Sequence, residues 1–172
     1  MTPPPAHDAA TLLTASRDNL VAFCATLAPE DWRRKRDSEW SPAEVLEHLA
    51  ILEGLVSARL AKMLSDPAEP DWRERTADKD GTLHRAASRE NKLKSPPAVH
   101  PKGQSEPAQL LREFGAAREV MVGLAKNSVR ELEQRTREHP VFGVCNGRQW
   151  LELCAHHTER HLKQMKEAAS QA

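Results

Sequence analysis

The chain has 172 residues, with 25 basic and 25 acidic side chains and a pI near 7.1. That length suits one domain with a full core, and the zero net charge argues against nucleic acid or an anionic membrane as a partner held by long-range electrostatics. No apolar run approaches the roughly 20 residues of a membrane span, and three cysteines without metal-ribbon or Cys-x-x-Cys spacing (Cys24, Cys145, Cys154) point to a reduced, cytoplasmic setting.

The opening "MTPPPAHDAA" lacks the basic-then-apolar layout of a signal peptide. A first helix is expected from about Asp8 to Leu27, with Leu12, Leu13, Leu20, Phe23 and Leu27 on its apolar side and Pro29 helping to end it. The connector "EDWRRKRDSEW" follows. Its basic run is flanked by acids and reads as a solvated link.

The second helix opens at Ser41-Pro42 with Glu44 three residues after the serine, close to a capping box, and should reach about Leu64. Glu44 therefore reads as a capping residue. The apolar stripe is Val45, Leu49, Leu52, Leu55, Val56, Leu60 and Met63, with Glu44, Glu47 and Lys62 on other faces. Residues 66–106 are polar and rich in proline and charge, long enough to be functional or mobile rather than core. Within them 82–93 could form a short helix, and Trp72, Leu83, Leu93 and Val99 offer anchors.

A third helix is expected from Ser105-Glu106-Pro107 to about Leu132, using Leu110, Leu111, Phe114, Met121, Val122, Leu124 and Ala125. Arg118 falls on or beside that stripe. It reads either as a snorkelling arginine or as a pocket residue facing an anionic ligand group. Residues 138–147 form a turn-rich link, and Asn146 can cap a fourth helix from Gly147 to Ala169. Few glycines and no tyrosine weigh against a β-rich fold. Four amphipathic helices with one long connection predict an all-α four-helix bundle forming a single domain over 1–172.

The stretch "CAHHTERHLKQ" holds His156, His157 and His161. Trp150, Cys154, His157, His161, Met165 and Ala168 follow helical steps and form the inward stripe. Glu152, His156, Arg160, Lys163 and Glu167 share a charged face, which sends His156 to solvent. His157 and His161, one turn apart, share a face and can share a ligand. His48 lies on the inward stripe of the second helix. Three inward imidazoles without strong partners would be costly, and a divalent metal satisfies all three while favouring their neutral forms. Three nitrogen ligands leave positions open for water or substrate, as in catalytic sites. We expect Zn or Ni first, with Fe, Mn or Cu as further candidates. Water or thiol at such an ion loses its proton more readily. Gln164 reads as a flank residue or as a donor supporting the ligands, and Cys154 as a core residue or a pocket lining.

"EWSPAEVLEHLAILE" (39–53) and "HPVFGVCNGRQWLELCAHHTERHLKQM" (139–165) together resemble the DinB-like superfamily of metal-binding four-helix bundles. "SPPAVHPKGQ" before an amphipathic helix is similar to that family too, so the resemblance spans nearly the whole chain. It implies an antiparallel bundle (DinB/YfiT-like) with the long crossover between the second and third helices. The family's metal triad maps onto His48, His157 and His161, in agreement with the phase argument. The resemblance further implies a small-molecule substrate, with a low-molecular-weight thiol as one candidate, and a homodimer. Some relatives are thiol-dependent transferases or isomerases and others are described as metal-dependent hydrolases. Two functions therefore stand side by side: a metal enzyme activating a small thiol or water, and a non-catalytic metal- or ligand-binding stress module.

Overall fold

The computed structural model describes residues 8–36, 39–91 and 94–170. Leu93, one of the expected anchors, lies outside them. Four long helices carry the fold: α1 (Ala9–Cys24), α2 (Pro42–Met63), α4 (Pro107–Asn127) and α6 (Gly147–Ala169). Among the described residues, two short helices, α3 (Trp72–Thr76) and α5 (Val129–Glu133), three 3-10 helices (Asp31–Arg33, Leu83–Ala87 and Pro97–Val99) and a two-stranded antiparallel sheet, β1 (Thr136–His139) with β2 (Gly143–Asn146), complete the regular elements.

The helix starts follow local chemistry. Asp8 caps α1 through Ala10 N. Ser41 and Glu44 close a reciprocal capping box on α2, and Asn146 and Gln149 do the same on α6. Three boundaries differ from expectation. α1 stops at Cys24, where Ala25 to Leu27 bond into a tighter turn. α4 begins with Glu106, not Ser105, at its cap, and its helical run breaks at Ser128, so Leu132 belongs to α5. The link expected over 138–147 is mainly a hairpin whose register runs from Thr136↔Asn146 to His139↔Gly143, with Gly143 at φ +69° supplying the left-handed residue the turn needs.

Two apolar clusters fill the bundle. At one end Leu20 and Cys24 pack with Val45, Leu46, Leu49, Leu110, Phe114, Leu162 and Met165. At the other Leu13 packs with Val56, Leu60, Met63, Met121, Ala125, Leu151 and Cys154. This pairing runs α1 and α2 antiparallel, as a short link requires. It runs α2 and α4 parallel, because the crossover returns the chain to the end where α2 began. Leu55, expected on the inward stripe, is instead 55% exposed, whereas Glu47 and Glu152, expected on outer faces, are buried. Glu47 accepts from Gly103 N at 2.8 Å and Glu152 pairs with Arg148.

The crossover is tied down rather than loose. Leu83 and Val99 are buried, and among the described residues the short helix anticipated within 82–93 is a five-residue 3-10 helix, Leu83–Ala87. Among the described residues no helix is long and apolar enough to cross a membrane.

Candidate metal centre

His48 of α2 and His157 and His161 of α6 converge near one end of the bundle. One ligating atom from each lies within 4.8 Å of the others. The His48 ring centroid stands 4.7 Å from that of His161 and 5.4 Å from that of His157, and the two α6 rings are 4.4 Å apart. The structure thus brings together the three histidines singled out by helical phase. His156 stays out of this group, but it is half-buried rather than solvated and contacts Glu159 at 3.2 Å.

The proton positions follow from the partners. His48 Nδ1 lies 2.8 Å from the Val99 carbonyl, which can only accept, so Nδ1 carries the proton and the Nε2 lone pair is bare. His161 Nδ1 donates to Gln164 Oε1 at 2.8 Å, which leaves its Nε2 bare as well. Gln164 therefore accepts, where the sequence had suggested a donor. His157 Nε2 stands 3.1 Å from His161 Nε2. Its own Nδ1 is, among the described residues, the one buried side-chain nitrogen or oxygen with no hydrogen-bond partner. Two nitrogens each about 2.1 Å from one ion stand about 3.0–3.4 Å apart, so this spacing and donor set fit a shared cation.

All three imidazoles are held neutral, as ligands must be. Burial pushes His161 down to about 3, reinforced by His48, Arg160 and Arg89. Burial, then the neighbouring His161 and His48, pushes His157 well down. Burial likewise lowers His48, with His100 adding to it and the Val99 bond opposing it.

The surroundings come from three segments. Trp40 packs its ring 5.1 Å from His48 and 5.8 Å from His100. The crossover is fastened to α6 by Arg160 Nη2 on the Asn91 carbonyl (2.7 Å), Lys163 on the Ala87 carbonyl (2.9 Å) and Arg89 on Glu167. At the hairpin, His139 Nδ1 accepts from Val141 N and Phe142 N, and its ring lies 4.7 Å from Trp150. The His-Pro-x-Phe-Gly stretch is thus a turn latched by its own histidine.

Other candidates fall elsewhere. Arg118 neither snorkels nor faces a ligand: it is fully buried and pairs with Glu53. Sequence reasoning missed Glu53, although its position four after Leu49 and three before Val56 is in phase with the apolar stripe. Cys154 is buried in the core rather than lining the site.

An all-α bundle of four long helices with three neutral histidines gathered near one end defines a metal-capable helical protein. The chain matches the DinB superfamily model over residues 12–165 and belongs to that family. It is 32% identical over 130 residues to the uncharacterized protein YuaE of Bacillus subtilis (strain 168), covering 75% of this chain and 76% of YuaE. Among solved structures it is similar to TT2238, a four-helix bundle protein (TM-score 0.60, 24% identity, 92% of this chain and 96% of that one). It is also similar to YfiT from Bacillus subtilis, described as a probable metal-dependent hydrolase with an unusual four-helix bundle topology (TM-score 0.65, 15% identity, 98% and 87%). At those identities the likeness concerns the fold.

Proposed function

We propose that this chain is a metal-dependent enzyme in which His48, His157 and His161 hold a divalent ion, Zn or Ni first, and that it activates a small thiol for transfer to an electrophile, or water for hydrolysis. The observation that carries this reading is the convergence of three neutral imidazoles, two of them with Nδ1 already engaged and Nε2 left bare. A divalent ion there supplies Lewis acidity, which lowers the pKa of a coordinated thiol or water.

The chain's own residues do the rest. Val99 and Gln164 orient two of the rings. Arg160 and Arg89 lie close enough to His161 to disfavour a cationic imidazole, and the same positive field favours an anionic nucleophile. The nucleophile comes from outside the chain. Burial pushes the Cys24 thiol up to about 12 and Cys145 up to about 11, and it raises Cys154 further, so none is a thiolate at neutral pH. YfiT, described as a probable metal-dependent hydrolase, lends support to the hydrolytic branch.

Elemental analysis of protein purified without chelator should find about one ion per chain, lost in H48A, H157A or H161A. Less than about a tenth of an ion, with thermal stability unchanged on metal addition, overturns the metal premise, because an ion bound only by the native state must stabilise it. Metal-dependent consumption of a small thiol with 1-chloro-2,4-dinitrobenzene supports transfer, and metal-dependent cleavage of p-nitrophenyl acetate supports hydrolysis. Stoichiometric metal with neither activity supports the second reading, a non-catalytic metal-binding module. One observation favours that reading: Glu53, a fully buried carboxylate of α2, is taken up by Arg118 and offers no free base. A homodimer and a cytoplasmic location belong to the same proposal and rest on the family resemblance and the reduced cysteines; light scattering tests the first.

A further inference from the structure

The most buried polar cluster of the bundle supplies neither a ligand nor a free base to the three-histidine site. Arg118 of α4 and Glu53 of α2 are both fully buried. Arg118 Nε donates to Glu53 Oε2 at 2.8 Å, and Nη2 pairs with Glu53 Oε1. Nη1 donates to the Leu13 carbonyl (2.8 Å) and Ser16 Oγ (2.7 Å) on α1. Nη2 also donates to Thr158 Oγ1 on α6 at 2.6 Å. One guanidinium from α4 therefore grips each of the other three long helices.

Stability alone is a poor reason for such a cluster. A buried ion pair loses hydration that its own attraction barely restores, and well-packed apolar residues of similar volume are frequently as stable or more so. The pair differs from apolar packing in direction. A forked guanidinium accepts a carboxylate in one plane and at one distance, whereas apolar side chains tolerate sliding.

Sliding matters here because the histidines come from two helices. Glu53 lies five residues after His48 on α2, and Thr158 directly follows His157 on α6. The two helices run antiparallel. Along α2 the Arg118 cluster sits about one and a half turns beyond His48, and on α6 Thr158 stands between His157 and His161. A one-residue slip of α2 against α6 moves His48 by about 1.5 Å, while metal ligands must hold within about 0.2 Å.

We propose that Arg118 and Glu53 are positioning residues for the three-histidine site, locking α2 against α6 so that His48 meets His157 and His161. The inference rests on the metal-binding reading and extends it to residues that touch neither ligand nor substrate.

The test compares full-length wild-type protein with the double variant Arg118→Met/Glu53→Leu. Three quantities are read: the unfolding midpoint of the metal-free protein, Zn2+ affinity by competition with a chromophoric chelator, and the visible absorption spectrum of the Co2+-loaded protein. The double variant should fold with a midpoint near or above wild type, bind Zn2+ at least about tenfold more weakly, and show an altered Co2+ spectrum. Wild-type affinity and an unchanged spectrum in the folded double variant overturn the positioning role. Should that variant fail to fold, Thr158→Val removes the cluster's hold on α6, the contacts of Thr158 Oγ1 with Arg118 and Glu53, and should weaken Zn2+ binding about threefold or more, the effect of at least one lost hydrogen bond. Unchanged Zn2+ affinity in Thr158→Val then overturns the role. If wild type binds no Zn2+ or Co2+, the three-histidine reading falls and takes this inference with it.

Discussion

His48 Nδ1 donates to the carbonyl of Val99, 2.8 Å away and 51 residues further along the chain. That bond joins the crossover to the candidate metal centre. It fixes the tautomer of a histidine on one helix through a backbone atom of an otherwise polar connection, buried there by the Val99 side chain. The crossover is therefore part of the site.

Gln164 plays the matching part for His161. Its side-chain carbonyl holds the Nδ1 proton at 2.8 Å, and losing such a bond commonly weakens metal binding about 10–100-fold. Gln164→Ala should lower Zn2+ affinity in that range and shift the unfolding midpoint of the metal-free protein little, since the side chain is half-buried. Chelator competition measures the first and thermal unfolding the second.

His139 should make the chain acid-sensitive. Burial pushes it down to about 4 from an ordinary 6.5. Below 6.5 the unfolded chain takes up a proton that the folded chain refuses, so stability is lost as pH falls from 6.5 and stops falling, for this group, below 4. The slope is at most about 1.4 kcal/mol per pH unit for one proton. His139→Asn keeps an acceptor for the Val141 and Phe142 amides and removes the titration. Urea midpoints between pH 7 and 4 should then fall less steeply than in wild type, and equal slopes would remove His139 from the account.

Breaking the buried pair from one side should be severe. Glu53→Leu alone leaves Arg118 charged at a fully buried position, where an unpaired ion costs about 3–5 kcal/mol. Denaturant unfolding should show that loss for the single variant and its recovery when Arg118→Met is added, a non-additivity typical of directly contacting residues.

Gly147 opens α6 against α5. A Cβ there would stand 2.7 Å from Leu132 Cβ and 2.9 Å from the Leu132 carbonyl oxygen. Leu132 is fully buried and cannot step aside. Gly147→Ala should therefore destabilise by about 1–3 kcal/mol, as core overpacking does, although alanine is the better helix former. Calorimetry that found the variant as stable as wild type would contradict this contact.

Much of this was legible in the chain wherever one helix decides the matter. The capping boxes at Ser41–Glu44 and Asn146–Gln149 are local, because cap and partner are three residues apart. The inward phase of His157 and His161 follows from a 3.6-residue period, and so does the exclusion of His156 from their group. Errors arose where a neighbouring helix chooses between similar faces. Leu55 looked apolar enough for the core, yet it stands 55% exposed. Glu152 looked suited to solvent, yet Arg148 one turn earlier supplies the charge that allows its burial.

By itself, then, the sequence determined the four long helices, the caps that open three of them, the long connection and the turn that pairs His157 with His161, because propensity, capping and periodicity act over a few residues. Only the tertiary structure decided which atoms accept the imidazole protons, that Val99 reaches back to His48, and that Arg118 closes on Glu53, Ser16 and Thr158 across three other helices. The contacts of Val99 and Arg118 join residues 40 to 102 positions apart. They exist because packing buries polar groups that must then be satisfied, a demand that no local pattern in the chain records.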